Sequence, residues 1–449
     1  MIGKAIKHYH DLLKPGYVVE NTHAQLAEEI EKRDLFFGDV PVCRVLRPQF
    51  YAYADWMYLK RKTELVLGAF RKVHNVCMTN RDYRAQLDLD PYEEELFVLD
   101  KGFELPWSSS RLDAFFKPED QYLRFVEYNA ETPAGLGYGD ELAQAFFNLD
   151  VMKEFNKSYH VGYTSGQPQL MDAILNAYKA WGGTEHPNIA IVDWQDVPTL
   201  TEHAITQQFF EDKGYKTVLA DPSDLEYHHD YLWKGDFKIH IIYKRVLYSE
   251  LIGRNGIDSP IIQAVKDRAV FLTNSPSAKL MAKKASLALM SDEANRDLFT
   301  ADELTAIRLH IPWTRRVAER KTFYRGQEID LIPYIADNRE SFVLKPNDDY
   351  GGHGVVLGFK ATQQQWEWAL KEALRTPYVV QETITLVERA FPSYIDNELI
   401  ISNRFIDANP YVFNGDTVGG CLTRLSSAEL LNVTAGAGSV VPMMVIEPV

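Results

Sequence analysis

Residues 187–274 carry the pattern that most restricts the fold of this chain, because buried strands there alternate with an amphipathic helix. NIAIVDW reads as a buried strand, TLTEHAITQQFFEDKG as a helix closed by Gly214, and YKTVLADPSDL and FKIHIIYKRV as two further strands. This order implies right-handed crossovers and a parallel sheet. No GxGxxG fingerprint follows the first strand, where Trp194–Pro198 stands instead. A nicotinamide-binding domain is therefore disfavoured.

The segments on either side of this unit predict helices, a hairpin and further strands. Residues 1 to about 100 are mostly helical in character, with apolar residues at helical spacing over Trp56–Val73. SSSRLDAFF and YLRFVEYN alternate polar and apolar residues around the turn-like KPEDQ, which predicts a β-hairpin. SAKLMAKKASLALM and QQQWEWALKEAL read as helices, and FVLKPNDDYGGHGVVLG reads as strand, glycine loop and strand. We expect a mixed α/β (α+β) fold whose last strand is SVVPMMVI.

Charge and hydropathy limit the classes of partner. The 449 residues carry a formal net charge of −15, which disfavours nucleic acid as a partner and favours a cationic co-substrate such as a polyamine. No run of 18 apolar residues occurs, so no membrane span is expected, and no signal peptide is apparent. Cys43, Cys77 and Cys421 lie far apart without CxxC spacing, which favours reduced thiols and a cytoplasmic location.

The segment from Lys345 to Gly354 is the most specific local signal. A lysine ends a strand, and the turn that follows contains Gly351, Gly352 and Gly354. Such a turn brings backbone N–H groups close to phosphate oxygens, and the lysine supplies a positive charge. The GxxxxGK[ST] pattern of a Walker A loop is absent. A tight hairpin with a surface lysine explains the same pattern equally well.

Alternation along the hairpin groups four polar side chains. Glu127 and Asn129 share one face of their strand, and Arg111 and Asp113 share a face of the partner strand. Cross-strand placement brings Asp113 towards Glu127 and Asn129, and carboxylate and amide oxygens suit Mg²⁺. Arg111 is then left to hold an anionic group. The alternative is an exposed polar face with an Arg–Glu ion pair.

Three weaker features complete the candidate site. Thr423 and Arg424 follow a double glycine, and Arg424 suits a phosphate or a carboxylate. The glycines at 135, 137 and 139 fit an anion cradle or a plain strand-to-helix turn. The lysines at 279, 283 and 284 lie in a predicted helix, from which one can reach a phosphate.

In this order the motifs resemble the circularly permuted ATP-grasp proteins, above all the synthetase domain of glutathionylspermidine synthases and, more remotely, eukaryotic-type glutathione synthetases. The segments that carry the resemblance are Arg111-x-Asp113, FVEYNAETP (125–133), VLKPNDDYGGHGV (343–355), VVQE (379–382), GGCLTR (419–424) and NVTAGAG (432–438). They span roughly residues 105–446. The EYNAETP motif precedes the lysine–glycine motif, whereas the ordinary ATP-grasp order has the metal-binding strand last, and this marks the permutation.

The resemblance implies ATP and Mg²⁺ as cofactors and a role for each motif residue. The implied roles are magnesium ligands for Asp113, Glu127 and Asn129; phosphate lysines for Lys345 and Lys284; a lid for Gly351, Gly352 and Gly354; an adenine hinge for Gln381 and Glu382; catalytic arginines at the acyl phosphate for Arg111 and Arg424; and a place near the substrate carboxylate for Thr132. Lys279 or Lys283 also fits the place given to Lys284.

The resemblance further implies a domain organisation and an activity. Residues 1–104 form an N-terminal, mostly helical region, 105–186 the permuted part of the core with the metal-binding strands, 187–274 a pre-ATP-grasp-like α/β domain, and 275–449 the lid and C-terminal core. The implied activity joins a small-molecule or peptide carboxylate to an amine through an acyl phosphate. A non-catalytic or regulatory ATP-binding protein and a small-molecule kinase on the same fold are the alternatives. Oligomeric state is not determined.

Three residues depart from the family pattern. Asp348 and Asp349 stand in the lid, where neutral or basic residues are expected, and Glu131 replaces an aspartate. Two acids beside a triphosphate require a metal or a lysine to offset them.

Overall fold

A computed structural model describes residues 1–100, 103–349, 351–428 and 438–449. The described residues form sixteen α-helices, which are α1 (Ile2–Leu13), α2 (Gly16–Lys32), α3 (Tyr53–Thr79), α4 (Arg81–Arg84), α5 (Pro91–Leu96), α6 (Leu136–Asn148), α7 (Asp150–Phe155), α8 (Gln167–Trp181), α9 (Leu200–Asp212), α10 (Tyr248–Asn255), α11 (Pro260–Lys266), α12 (Lys279–Ala282), α13 (Ala285–Ser291), α14 (Ala301–His310), α15 (Leu331–Asp337) and α16 (Gln363–Ala373). The helical character predicted for the first hundred residues is confirmed.

The same residues form twenty-four strands, which are β1 (Phe36–Phe37), β2 (Val40–Pro41), β3 (Gln49–Ala52), β4 (Ser109–Lys117), β5 (Tyr122–Asn129), β6 (Tyr159–Gly162), β7 (Ile189–Val192), β8 (Thr217–Ala220), β9 (Glu226–His228), β10 (Tyr231–Lys234), β11 (Phe237–Ile239), β12 (Ile241–Lys244), β13 (Phe271–Thr273), β14 (Thr314–Arg316), β15 (Lys321–Tyr324), β16 (Gln327–Asp330), β17 (Phe342–Pro346), β18 (Val356–Leu357), β19 (Tyr378–Glu382), β20 (Val387–Ile395), β21 (Glu398–Ile406), β22 (Asn409–Phe413), β23 (Thr417–Ser426) and β24 (Gly438–Pro448).

A nine-stranded sheet joins strands from the first 162 residues of the chain to strands from its C-terminal end. Its main path runs β20-β21-β23-β22-β4-β5, and β24 connects β23 to β3 and β6. The predicted hairpin is confirmed, since β4 and β5 pair antiparallel around the turn at residues 118–121. Helix α3 packs on this hairpin, where the rings of Phe70 and Tyr128 lie 4.5 Å apart between centroids. The residues predicted as metal ligands thus stand on strands of a large, well-buried sheet.

The unit at 187–274 folds as its pattern predicted, with one correction. Strands β13, β12, β7 and β8 form a parallel sheet in that order. FKIHIIYKRV, however, is not one strand. It breaks at His240 between β11, which joins an antiparallel sheet with β9 and β10, and β12. The break occurs where His240 Nδ1 accepts a hydrogen bond from the Asn188 backbone at 2.9 Å.

A smaller antiparallel sheet faces the hairpin. It has the order β14-β19-β17-β18, so that the predicted strand–glycine loop–strand at 342–358 is confirmed. Helix α16 covers this sheet with the fully buried ring of Trp366. A deep cleft lies between the two sheets.

The segment SAKLMAKKASLALM differs from the single helix that its pattern predicted. Helix α12 ends at Ala282, Lys283 is extended (φ −61°, ψ 129°), and α13 begins at Ala285. The start of α13 is stabilised by a distant segment, because Asn347 accepts hydrogen bonds from the Lys284 N–H (2.9 Å) and the Ala285 N–H (2.8 Å). Lys283 and Lys284 consequently face different surroundings.

Two further predictions concern the motif NVTAGAG and the absence of a membrane span. Most of the motif NVTAGAG lies outside the described residues. Within the parts of the chain that the structure describes, none of the helices has the length and apolar character needed to cross a bilayer.

Candidate functional site

The cleft between the small sheet and the hairpin has a volume of about 1100 Å³, counted out to its open mouth. Apolar side chains from both sheets form part of its wall, among them Val126, Val343 and Leu386. Nine of the thirteen residues predicted from the sequence also line it: Asp113, Glu127, Lys284, Lys345, Gly351, Gly352, Gln381, Glu382 and Arg424. These nine come from five separate stretches of the chain, which only folding brings together.

Asp113 lies opposite Glu127 in the register of the hairpin and is held between two arginines. Its carboxylate accepts hydrogen bonds from Arg111 Nε and from Arg424 Nη2, both at 2.7 Å. Burial alone would raise the pKa of Asp113, but Arg111 and Arg424 lower it to about 2. Arg424 is fixed in turn by Asp407, which accepts from its Nε at 2.7 Å. The carboxylate is therefore ionised at any physiological pH.

Glu127 is the less enclosed carboxylate of the hairpin. Its Oε1 lies 3.0 Å from Lys284 Nζ, and 28% of its side chain is exposed. Asn129 follows on the same face, and its Nδ2 has no hydrogen-bond partner among the described residues although it is buried. Two carboxylates and the amide oxygen of Asn129 are hard oxygen ligands of the kind that Mg²⁺ prefers.

Lys345 lies deep in the cleft. Its Nζ donates to Gln381 Oε1 at 2.7 Å and to the Val126 carbonyl at 3.3 Å. Burial lowers its pKa to about 8; nearby Glu127 opposes that change and Lys284 adds to it. A lysine so placed is mostly charged at neutral pH and is poorly compensated, so that an anionic ligand would stabilise it.

The structure separates the three lysines that the sequence left as alternatives. Lys284 lines the cleft and bonds Glu127 and the Asp349 carbonyl, the latter at 2.6 Å. Lys279 and Lys283 are buried behind the cleft wall, where both bond Asp348 at 2.7 and 3.1 Å. Asp348 is thus offset by two lysines, which removes the electrostatic difficulty that its position in the loop raised.

The glycine loop begins directly after these contacts. Gly351, Gly352 and Gly354 all have positive φ, at 66°, 78° and 67°. At Gly354 a Cβ would also lie 2.6 Å from Pro346 Cγ. The loop therefore requires glycine for its backbone conformation and for its close approach to β17.

The predicted hinge ends β19 at the apolar side of the cleft. Gln381 donates through Nε2 to Thr314 Oγ1 at 3.1 Å and accepts from Lys345. Glu382 accepts from the Tyr324 hydroxyl at 2.8 Å and from Arg325 at 2.7 Å. Both side chains are thus committed to protein partners, and the N–H groups of Glu382 and Thr383 donate to the Trp313 and Ser341 carbonyls, each at 2.8 Å.

Four predicted residues lie outside the cleft wall, namely Arg111, Asn129, Thr132 and Gly354. Arg111 nevertheless contacts the wall through Asp113 and also donates to the Ala134 carbonyl at 2.8 Å. Thr132 is half-buried in the same loop, which Arg245 holds by donating to the Pro133 carbonyl at 2.7 Å.

The N–H groups of Gly135 and Gly137, at the start of α6, bind an internal carboxyl group. Glu202 Oε1 accepts hydrogen bonds from the Gly135 N–H (2.6 Å) and the Gly137 N–H (3.1 Å). A carboxylate of the chain itself therefore occupies this helix N-terminus, and the strand-to-helix turn is the interpretation that the structure supports.

No sequence pattern predicted the roles of Asp407, Glu202 and the partners of Glu131. Glu131 is buried and accepts from Lys279 at 2.9 Å and from Lys244 at 3.3 Å. Each of these acids pairs with a residue distant along the chain, and no local pattern marks it. The departure of Glu131 from the family pattern was the one available signal.

Comparison with known proteins finds relatives of low sequence identity, whose alignments cover 70% of this chain. No protein-family model matches the chain. It is 22% identical over 347 residues to a putative glutamate–cysteine ligase 2-2 of Frankia casuarinae, which covers 70% of this chain and 36% of that protein. It is likewise 22% identical to an uncharacterized Synechocystis protein over 70% of this chain and 64% of the relative. The chain thus spans little more than a third of the Frankia relative.

Among solved structures, a glutathione synthetase-like effector from Globodera pallida in its apo form is similar with a TM-score of 0.59. The match has 12% sequence identity and covers 96% of this chain and 98% of the other. The two proteins share an overall fold. The mixed α/β fold class predicted from the sequence is confirmed, while its assignment to the ATP-grasp proteins, the circular permutation and the domain boundaries stay predictions.

Proposed function

We propose that this chain is an ATP- and Mg²⁺-dependent ligase that joins a carboxylate to an amine through an acyl phosphate. The observation that carries the proposal is the convergence of nine motif residues on one cleft. Chance would not be expected to bring residues from five stretches of chain to one wall. The glutamate–cysteine ligase name of a relative and the fold shared with a glutathione synthetase-like protein support the same class of reaction.

The cleft has separate ends for the base and the phosphates of ATP. The apolar side chains of Val343 and Leu386 suit the adenine. Lys345 and Lys284 supply two positive charges at the opposite end, and the glycine loop offers backbone N–H groups above them.

Asp113, Glu127 and Asn129 would hold Mg²⁺, which supplies neutralisation of phosphate charge and orientation of the γ-phosphoryl group when bound. Asp113 is already ionised, since Arg111 and Arg424 keep its pKa at about 2 against the effect of burial. Glu127 is paired with Lys284 in the structure without a metal.

In the proposed reaction an oxygen of the substrate carboxylate attacks the γ-phosphorus, and the bond to the β-phosphate oxygen breaks to release ADP. Arg424 and Arg111 hold the acyl phosphate. The amine then attacks the acyl carbon, loses a proton and displaces inorganic phosphate. The glycine loop limits access of water to the acyl phosphate, whose hydrolysis would otherwise compete with amide formation.

The test is ADP formation by the purified chain with MgATP, screened against pooled carboxylates and amines. The pools include glutamate with cysteine, after the named relatives, and glutathione with spermidine, after the sequence resemblance. We expect turnover that needs both a carboxylate and an amine. Glu127→Gln should lower it by about 100-fold or more, because the change removes charge at the developing phosphoryl site.

Glu28→Gln is the matched control, since Glu28 is exposed on α2, far along the chain from the hairpin. It should leave turnover unchanged. ATP binding without turnover in any pool would favour a regulatory ATP-binding protein instead. A stable phosphorylated product with no need for an amine would favour a kinase, and absence of ATP binding would refute the proposal.

A further inference from the structure

A buried group of acids and lysines lies behind the phosphate end of the cleft and is not used by the proposed chemistry. Asp348 accepts hydrogen bonds from Lys279 (2.7 Å) and Lys283 (3.1 Å). Lys279 also bonds Glu131 at 2.9 Å, and Lys283 lies 2.8 Å from Glu93. The two lysines are 4% and 2% exposed in their side chains. They are thus internal ions, and each joins Asp348 to a second acid.

The acids of this group do not form a metal site. Asp90, Glu93 and Asp348 lie close enough together to share an ion. Lys283 Nζ lies among them, however, at 3.8, 2.8 and 3.1 Å. An ammonium group therefore already supplies the charge that a cation would bring.

Asp348 connects this group to the glycine loop. Asn347, just before it, binds the start of α13 and donates to the Leu87 carbonyl at 2.8 Å. Asp349, just after it, accepts from Lys284 Nζ through its carbonyl at 2.6 Å. The first residues of the loop are thereby fixed to α12, α13 and the N-terminal region.

The extended conformation of Lys283 lets Lys283 and Lys284 reach different partners. It separates α12 from α13, so that Lys283 reaches Asp348 and Glu93 while Lys284 reaches the cleft and Glu127. Because Lys284 directly follows Lys283, the contacts of Lys283 with Asp348 and Glu93 also restrict where the backbone of Lys284 lies. The side chain of Asp348 does not line the cleft itself.

We propose that Asp348 is a positioning residue, which acts through Lys279 and Lys283 to set the glycine loop and Lys284 around the β- and γ-phosphates of ATP. The inference rests on the proposed function, since it assumes that the cleft binds ATP. It gives an acid a favourable role at a triphosphate site, where its charge by itself would oppose binding.

The sign of one mutational effect separates positioning from direct charge repulsion. Asp348→Asn removes a negative charge and keeps the size of the side chain. If Asp348 acted only by its own field, the variant would bind MgATP more tightly. If it positions the loop and Lys284, the variant binds MgATP more weakly, by about tenfold, because small displacements of charged groups are enough for such losses.

The experiment is calorimetric titration of wild type, Asp348→Asn and Asp348→Glu with MgATP and with AMP. AMP lacks the phosphates that the loop and Lys284 would hold, so its affinity should change by less than about twofold, while a general structural defect would weaken both ligands alike. Asp348→Glu, which keeps the charge, should recover part of the loss. Asp337→Asn, the same change at the exposed last residue of α15, is the control and should behave as wild type.

Each outcome bears on the proposal. Weaker MgATP binding with unchanged AMP binding supports it. Equal or tighter MgATP binding by Asp348→Asn overturns it and leaves the proposed function intact, and so does an equal loss for both ligands. A wild-type protein that binds neither nucleotide overturns the inference together with the proposed function.

Discussion

At the scale of single residues, the surroundings of Asp113 keep it ionised, whereas those of Lys345 make its protonation sensitive to pH. Asp113 is ionised because Arg111 and Arg424 outweigh the effect of burial on its pKa, and Asp407 fixes Arg424. Lys345 is different, because its hydrogen-bond partners are the neutral oxygens of Gln381 and Val126. The lowered pKa of Lys345 therefore brings its titration closer to neutral pH.

This gives a pH prediction for nucleotide binding. Burial lowers the pKa of Lys345 to about 8, and only the protonated form attracts phosphate. The affinity for MgATP should thus be flat below about pH 8 and fall by up to about tenfold per pH unit above it, with proton uptake on binding. Titrations from about pH 7 to 9.5 in two buffers of different ionisation enthalpy measure both quantities.

Lys345→Arg is the matched variant for this measurement, because a guanidinium stays charged over the whole range. Its profile should show no fall near pH 8. A flat profile for the wild type would contradict the role given to Lys345.

At the scale of elements, close backbone contacts around Gly358 hold together the strand–loop–strand unit of the small sheet that lines the cleft. The Gly358 N–H donates to the Phe342 carbonyl at 3.0 Å, which closes the strand–loop–strand unit just after β18. A Cβ at Gly358 would lie 1.9 Å from the Arg339 carbonyl oxygen and 2.6 Å from that of Phe342. Both are backbone atoms, and neither can turn away as a flexible side chain would.

Gly358→Ala should therefore destabilise the chain, by about 1–3 kcal/mol as overpacking changes do. Gly253→Ala is the matched control, because Gly253 is in the middle of α10 and a Cβ there meets nothing within 4 Å. It should stabilise by about 0.5–1 kcal/mol through the lower entropy of the unfolded chain. Urea unfolding measures both, and equal effects of the two changes would refute the packing argument.

At the scale of the whole molecule, the cleft belongs to no single stretch of the chain. The large sheet draws β4 and β5 from the N-terminal third of the chain and β20 to β24 from its end, and the small sheet faces it with β17 and β19. The shared fold with the glutathione synthetase-like effector extends over 96% of the chain. A ligand in the cleft would contact both sheets and should stabilise the protein as a whole.

MgATP should accordingly raise the thermal midpoint of unfolding. At a nucleotide concentration 100 times the Kd, linkage gives about 2.7 kcal/mol of added stability. Removal of the metal with EDTA should reduce the shift, and Lys345→Met should reduce it further. Scanning calorimetry measures the shift, and an unchanged midpoint at saturating MgATP would contradict binding in the cleft.

The sequence by itself determined the local elements and the candidate site residues. Hydrophobic alternation and helical spacing depend on near neighbours, so the 109–129 hairpin, the parallel sheet and the strand–glycine loop–strand unit were readable in advance. The prediction of a continuous helix over 277–290 was wrong, because the contacts of Asn347 at the start of α13 come from a distant segment.

Only the tertiary structure decided which lysine faces the cleft and what offsets the acids around it. Lys279, Lys283 and Lys284 are equivalent by spacing, and they become distinct only when Asp348, Glu131 and Glu127 come near. Asp407 and Glu202 gain their partners in the same way. Ion pairing depends on distance in space and on burial, and a linear pattern of residue types encodes neither for groups so far apart along the chain.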